Sequence, residues 1–271
     1  MHTREEKVEA LGRLLDVLST LREKCPWDRK QTNESLRPNT IEEVYELCEA
    51  LMADDRKNIC KELGDVLMHV FFYSRIGEEQ GAFDIVDVCH AQCEKLIFRH
   101  PHVYGDVTAN SAGDVLKSWE QLKLREKDGN KTVLSGVPTS LPTLIKAYRI
   151  QDKARNVGFD WEQPQDVWMK VKEEISEFET ELAALASAEG EAKAEAKERA
   201  TNELGDVLFS IVNAARLYHL NPDNALERTN QKFIRRFGYV EQQTIKQGRN
   251  LHDMSLAEMD RLWEEAKKQE D

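Results

Sequence analysis

The sequence predicts an all-α fold made of two related helical modules, and three observations carry that expectation. Helix-favouring residues dominate: 32% of the 271 residues are charged and 40% hydrophobic, while 13 Gly and 7 Pro leave few places to break a helix. Apolar residues recur at helical rather than strand spacing. Finally, the string Glu62-Leu63-Gly64-Asp65-Val66-Leu67 recurs unchanged as Glu203-Leu204-Gly205-Asp206-Val207-Leu208, which marks a duplicated unit.

Taken in order, Val8, Leu11, Leu14, Leu15, Leu18 and Leu21 predict an amphipathic first helix. Trp27 then precedes a Glu-Glu-x-x-Glu run, Glu42 to Glu46, just as Trp161 precedes Glu173 to Glu177. Both tryptophans are expected to be core anchors. After each Glu-Leu-Gly-Asp string comes a basic motif, Lys95-Leu96-Ile97-Phe98-Arg99 in one half and Lys232-Phe233-Ile234-Arg235-Arg236 in the other. Trp119-Glu120 followed by Lys123 then matches Trp263-Glu264 followed by Lys267. A Gly/Pro/Ser/Thr stretch from Lys127 to Pro142 has no helical periodicity, so the modules are placed at 1–128 and 142–271 with a linker at 129–141. The second module is longer between its acidic motifs, where Ala183 to Thr201 reads as a solvated helix extension around a break at Gly190.

Charge and cysteine content exclude several classes. The formal net charge is −12, which argues against nucleic acid or an anionic membrane as partner. Five cysteines, an odd number, all in the first half, fit reduced thiols and no disulfide framework. No apolar run approaches membrane-spanning length, and no targeting segment opens the chain. A cytoplasmic protein is expected.

The acidic spacing points to a metal. On a helix, residues three apart are neighbours, so Glu43 and Glu46 point together, as do Glu62 and Asp65, Glu174 and Glu177, and Glu203 and Asp206. Two such helices side by side would crowd four carboxylates at a half-buried point, which is unfavourable unless a cation shares their charge. Oxygen-only donors suit Mg²⁺, with Mn²⁺ as substitute. A close helix approach would explain Gly64 and Gly205 inside helices. One alternative remains for Thr40 to Glu43, a simple capping box. In the second half, Lys232, Arg235 and Arg236 are suited to phosphate oxygens and Trp263 to a nucleotide base.

These duplicated acidic motifs, with Cys25-Pro26-Trp27-Asp28, Arg99-His100-Pro101-His102-Val103 and Asn156-Val157-Gly158-Phe159-Asp160-Trp161, closely resemble the MazG family of nucleoside triphosphate pyrophosphohydrolases over nearly the whole chain. The resemblance implies the all-α NTP pyrophosphatase fold of helical bundles, a homodimer, and cleavage of nucleoside triphosphates to monophosphate and pyrophosphate. It also implies that Glu174, Glu177, Glu203 and Asp206 are metal ligands, with a second, less certain set in Glu43, Glu46, Glu62 and Asp65. Lys170, Lys232, Arg235, Arg236 and Trp263 become substrate contacts. Glu174 or Glu177, with Glu173 in reserve, would orient the attacking water and accept its proton.

The copies differ. Continuing the Glu-x-x-Asp stripe by helical steps reaches Ser210 and Asn213 in the second half but His69 and Phe72 in the first. Asn213 can bond a base or sugar, whereas Phe72 would close that space, so the second module is expected to be catalytic and the first structural, regulatory or weakly active. Broad base choice is expected; the alternatives are a narrow dUTPase, dCTPase or phosphoribosyl-ATP pyrophosphohydrolase, or a non-catalytic nucleotide or metal sensor.

Overall fold

The computed structural model describes residues 1–107, 115, 122, 132–161 and 163–270. Every regular element among them is helical. The chain divides into two compact units, Met1–Ala109 and Asn110–Asp271. The Trp119-Glu120-Lys123 motif and the module boundary at 128/129 lie outside the described residues.

The first unit opens with α1 (Arg4–Lys24), started by a capping box in which Thr3 accepts from the Glu6 amide and Glu6 accepts from the Thr3 amide. α2 (Asn33–Met52) and α3 (Arg56–Glu79) are joined by three residues, so they pack as a hairpin. Their core is Leu18, Leu36, Phe71, Phe72 and Ile76, with Leu14, Leu15 and Leu67 packed against it. Each large side chain fully buried there contributes roughly 1.5–3 kcal/mol of transfer free energy. α4 (Ile85–Arg99) packs on α3 and is followed by a single turn, α5 (Pro101–Tyr104).

Unit two repeats this order with α6 (Thr143–Asn156), the hairpin α7 (Pro164–Ser187) and α8 (Gly190–Leu217), then α9 (Pro222–Lys246) and α10 (Leu256–Glu270). Gly190 has φ +59, a left-handed conformation that favours glycine where the chain turns from α7 into α8. Val167 and Val171 of α7 bury against Ala214 of α8, while Val240, Met254 and Leu262 join α9 to α10. At the base of that second cluster, Ser255 caps α10 and Glu258 closes the box. The Glu258 carboxyl is held down to about 2, first by its bond to Arg249 and then by the Ser255 backbone and hydroxyl.

Three expectations are corrected. Thr40 lies inside α2, where its hydroxyl meets the Leu36 carbonyl, His69 Nδ1 and the Tyr73 hydroxyl, so it caps nothing; the cap is Thr32 with Ser35. Trp27 and Trp161 are 60% and 41% exposed rather than core anchors, because the segments preceding the acidic hairpins run over the surface. Phe72, at the position matching Asn213, is buried in the first core. At Gly64 and Gly205 an added Cβ would meet nothing within 4 Å, so no helix among the described residues crowds that position.

At Gly77, by contrast, a Cβ would sit 2.8 Å from the Phe83 ring and 2.9 Å from its carbonyl oxygen. Gly64→Ala and Gly205→Ala should therefore raise the thermal midpoint, by about 0.5–1 kcal/mol of stability each. Gly77→Ala should lower it by about 1–3 kcal/mol through overpacking; equal melting of all three would contradict these environments. For Glu258 the folded pKa is depressed, so its stabilisation is present above the ordinary carboxylate range and lost as pH falls towards about 2. Glu258→Gln should melt earlier than wild type at pH 7, and the denaturation curves of the two should converge as pH falls towards about 2.

Candidate functional site

In each unit the two hairpin helices bring together carboxylates that are far apart in sequence. Glu43 from α2 and Glu62 and Asp65 from α3 present one oxygen each within 4.8 Å of one another; in the second unit Glu174 from α7 and Glu203 and Asp206 from α8 do the same. The deep members are Glu62, 4% exposed, and Glu174, 8% exposed. Burial of these two follows from the helical stripe: Glu62 is one turn before Val66 and two before His69, and Glu174 is one turn after Val171 and two after Val167.

Glu46 and Glu177 stand at the exposed margin of the clusters and do not join the 4.8 Å groupings. Their electrostatic influence still reaches the cluster. Glu43 titrates above the ordinary range, through desolvation first and then the charges of Asp65, Glu46 and Glu62, with Lys61 opposing. Glu177 is raised likewise, by desolvation and then by Glu174, Glu203 and Glu173, with Lys170 opposing.

One lysine attends each cluster. Lys170 Nζ lies 2.8 Å from both Glu173 and Glu174, so Glu173 is exposed but tied to the site through that ammonium. Those bonds push the Lys170 ammonium well above its usual range. Lys61, which sequence reasoning missed, lies 2.8 Å from Glu62 and 3.9 Å from both Glu46 and Asp65. The signal for it was a basic residue directly preceding the Glu-Leu-Gly-Asp string in one copy, where the other has Asn202. Among the described residues no ion pair reaches Glu203 or Asp206.

The other expected contacts are placed as follows. Lys232 and Arg235 are exposed on α9, and Arg236, one turn after Lys232, holds its guanidinium 5.8 Å from the Trp263 ring centre. Trp263 is half-buried against the α9–α10 core, its ring 5.1 Å from that of Phe233. Asn213 is half-buried on α8, and its side-chain oxygen accepts from the Arg216 guanidinium. Arg216 is itself buried and pairs through both terminal nitrogens with Asp160, whose carboxyl is held below its usual range by that hydrogen bond against the cost of burial. Asn213 is thus oriented by the buried Arg216, whose partner Asp160 belongs to the Asn156–Trp161 motif.

The donor set fits a hard divalent cation. All ligands are carboxylate oxygens, and Glu62 Oε2, fully enclosed, has no hydrogen-bond partner. A buried carboxylate oxygen left unpaired is costly unless a ligand completes it.

Comparisons with known proteins agree with this duplicated site. Residues 31–104 and 163–240 each match the MazG nucleotide pyrophosphohydrolase domain, and these segments contain both carboxylate clusters and both basic motifs. The chain is 42% identical over 257 residues to the nucleoside triphosphate pyrophosphohydrolase/pyrophosphatase MazG of Thermotoga maritima, covering 94% of each protein. It is 39% identical over 267 residues to the nucleoside triphosphate pyrophosphohydrolase of Escherichia coli strain K12, covering 96% of this chain and 98% of that one. An uncharacterized Bacillus subtilis protein, YabN, is 47% identical over 247 residues, which span 91% of this chain and 49% of YabN. Two matched domains, each carrying its own carboxylate hairpin, place this chain in the MazG nucleotide pyrophosphohydrolase family.

Proposed function

We propose that the chain is a magnesium-dependent nucleoside triphosphate pyrophosphohydrolase of broad base choice, releasing nucleoside monophosphate and pyrophosphate. The observation that carries this reading is the convergence of oxygen-only donors in both hairpins of a chain whose full-length relatives are named for that activity. Glu174, Glu177, Glu203 and Asp206 would hold the ion in the second module, and Glu43, Glu46, Glu62 and Asp65 in the first. When bound, Mg²⁺ would neutralise the carboxylates and share the charge of the phosphate oxygens; Mn²⁺ is the expected substitute.

The chain's own groups supply the remaining parts. Lys232, Arg235 and Arg236 meet phosphate oxygens from α9, and Lys170, already ion-paired with Glu173 and Glu174, neutralises a further one. Trp263 offers the base an aromatic face, and Asn213 offers its amide to base or sugar. Glu174 or Glu177, with Glu173 in reserve, is suited to orient water and accept its proton. The second module, 142–271, is the catalytic one, because among the described residues no lysine pairs with its α8 carboxylates. The first module, 1–128, is structural, regulatory or weakly active, with 129–141 as linker.

A homodimer is supported by the exposed apolar side chains of the hairpins, Ile175 and Leu182 on α7 and Leu204, Leu208 and Ile211 on α8. No helix among the described residues is long and apolar enough to cross a membrane. The free thiols of Cys25, Cys48, Cys60, Cys89 and Cys93 favour a cytoplasmic location, and the net charge of −12 disfavours nucleic acid as partner.

Product analysis across the standard nucleoside triphosphates, with and without Mg²⁺, should show pyrophosphate and monophosphate only when the ion is present. Release from a single nucleotide would replace broad choice by a narrow enzyme, and no release from any would leave a sensor. Replacing Glu203 by Gln and Asp206 by Asn should cut turnover by roughly 10²–10³, and the same changes at Glu62 and Asp65 should cost far less. The reverse pattern would move catalysis to the first module. Light scattering behind size-exclusion chromatography should give twice the chain mass; a monomer at micromolar concentration would remove the dimer.

A further inference from the structure

We propose that Lys61 is a tethered competitor for the cation at the first carboxylate cluster, occupying the ion's place when no metal is bound and leaving it on binding. The inference rests on the reading that these carboxylates hold a divalent ion, and adds how that site is regulated. Lys61 Nζ is within 4 Å of two of the three converging ligands, Glu62 and Asp65, and also of Glu46. Those ligands offer oxygens within 4.8 Å of one another. An ammonium and a divalent ion seated against the same oxygens repel strongly, so one must leave.

Exposure decides which partner is fixed. The Glu62 side chain is 6% exposed and that of Lys61 62%, so the lysine can swing into water while the carboxylate cannot. Glu62 also keeps an enclosed oxygen, Oε2, with no hydrogen-bond partner. The lysine therefore satisfies half of that carboxylate, and the other half awaits a ligand.

The second cluster is arranged differently. Lys170 comes from the Glu-Glu-x-x-Glu helix rather than the Glu-x-x-Asp helix, and it pairs with Glu173 and Glu174 of its own helix. Among the described residues only one of the three converging ligands, Glu174, is ion-paired, and no ion pair reaches Glu203 or Asp206. Each lysine has an asparagine at the matching position of the other copy: Asn202 for Lys61 and Asn39 for Lys170. Two copies of one motif have thus placed their compensating charge on opposite helices, and only in the first does it stand between the metal ligands. Because such coupling is reciprocal, the lysine weakens metal binding by the factor with which metal expels the lysine.

The test uses the full chain with the second cluster disabled by E203Q/D206N, and reads free Mn²⁺ by electron paramagnetic resonance. Adding Lys61→Met should tighten Mn²⁺ binding by about five- to tenfold, while Lys61→Arg should leave it within about twofold. The Lys61→Met chain should also melt earlier without metal and regain its midpoint with Mn²⁺. With the first cluster disabled instead by E62Q/D65N, Lys170→Met should tighten binding less than Lys61→Met does. Equal affinity before and after the Lys61→Met change, or an equal gain from Lys170→Met, overturns the proposal while leaving a metal site in place. No Mn²⁺ binding to the first cluster with either side chain overturns both the proposal and the reading of that cluster as a metal site.

Discussion

Each hairpin of this protein is organised around carboxylates that repel one another at a helix seam. Glu62 and Glu174 are nearly buried, and ionised groups in that position are unfavourable unless something opposes their charge. The apolar contacts that fix the hairpins, Phe71, Phe72 and Ile76 in one and Val167, Val171 and Ala214 in the other, hold the acids close despite that repulsion. The core thus holds together acids whose mutual repulsion a bound cation would relieve.

Lysine supplies part of the opposing charge, and its placement separates two otherwise similar modules. The Glu-x-x-Asp carboxylates of α3 are engaged by Lys61, whereas those of α8 are not engaged by any ion pair among the described residues. In the second unit, the buried Arg216, paired with Asp160, orients Asn213, and Trp263 lies against Arg236 and Phe233. The first module instead bonds Thr40, His69 and Tyr73 together one to two turns from its acids, where the second has Val171, Ser210 and Ala214 at matching positions.

Much of this was legible in the sequence because helical periodicity is local. The paired spacing of Glu43 with Glu46 and of Glu203 with Asp206, repeated in both halves, was enough to expect helices that present acids on one face. The meeting of the two acidic helices could be expected from their matched charge, but other contacts between elements were not legible, since period alone says which residues share a face and not what meets it. The role of Lys61 depends on α3 facing α2, and the orientation of Asn213 depends on Asp160, 53 positions earlier in the chain. The exposure of Trp27 and Trp161 escapes sequence reasoning for a related reason: aromatic character favours burial on average, but the segments that carry these residues pass over the surface. Gly64 and Gly205 mislead because a glycine in a helix has more than one cause, and here the space above it is open.

The central claim is that these carboxylates converge to hold a divalent ion, and anomalous diffraction from crystals soaked in Mn²⁺ tests it most directly. A peak is expected among Glu174, Glu203 and Asp206 and a second, at higher Mn²⁺ concentration, among Glu43, Glu62 and Asp65. Well-ordered carboxylates with no anomalous peak at either cluster would contradict it.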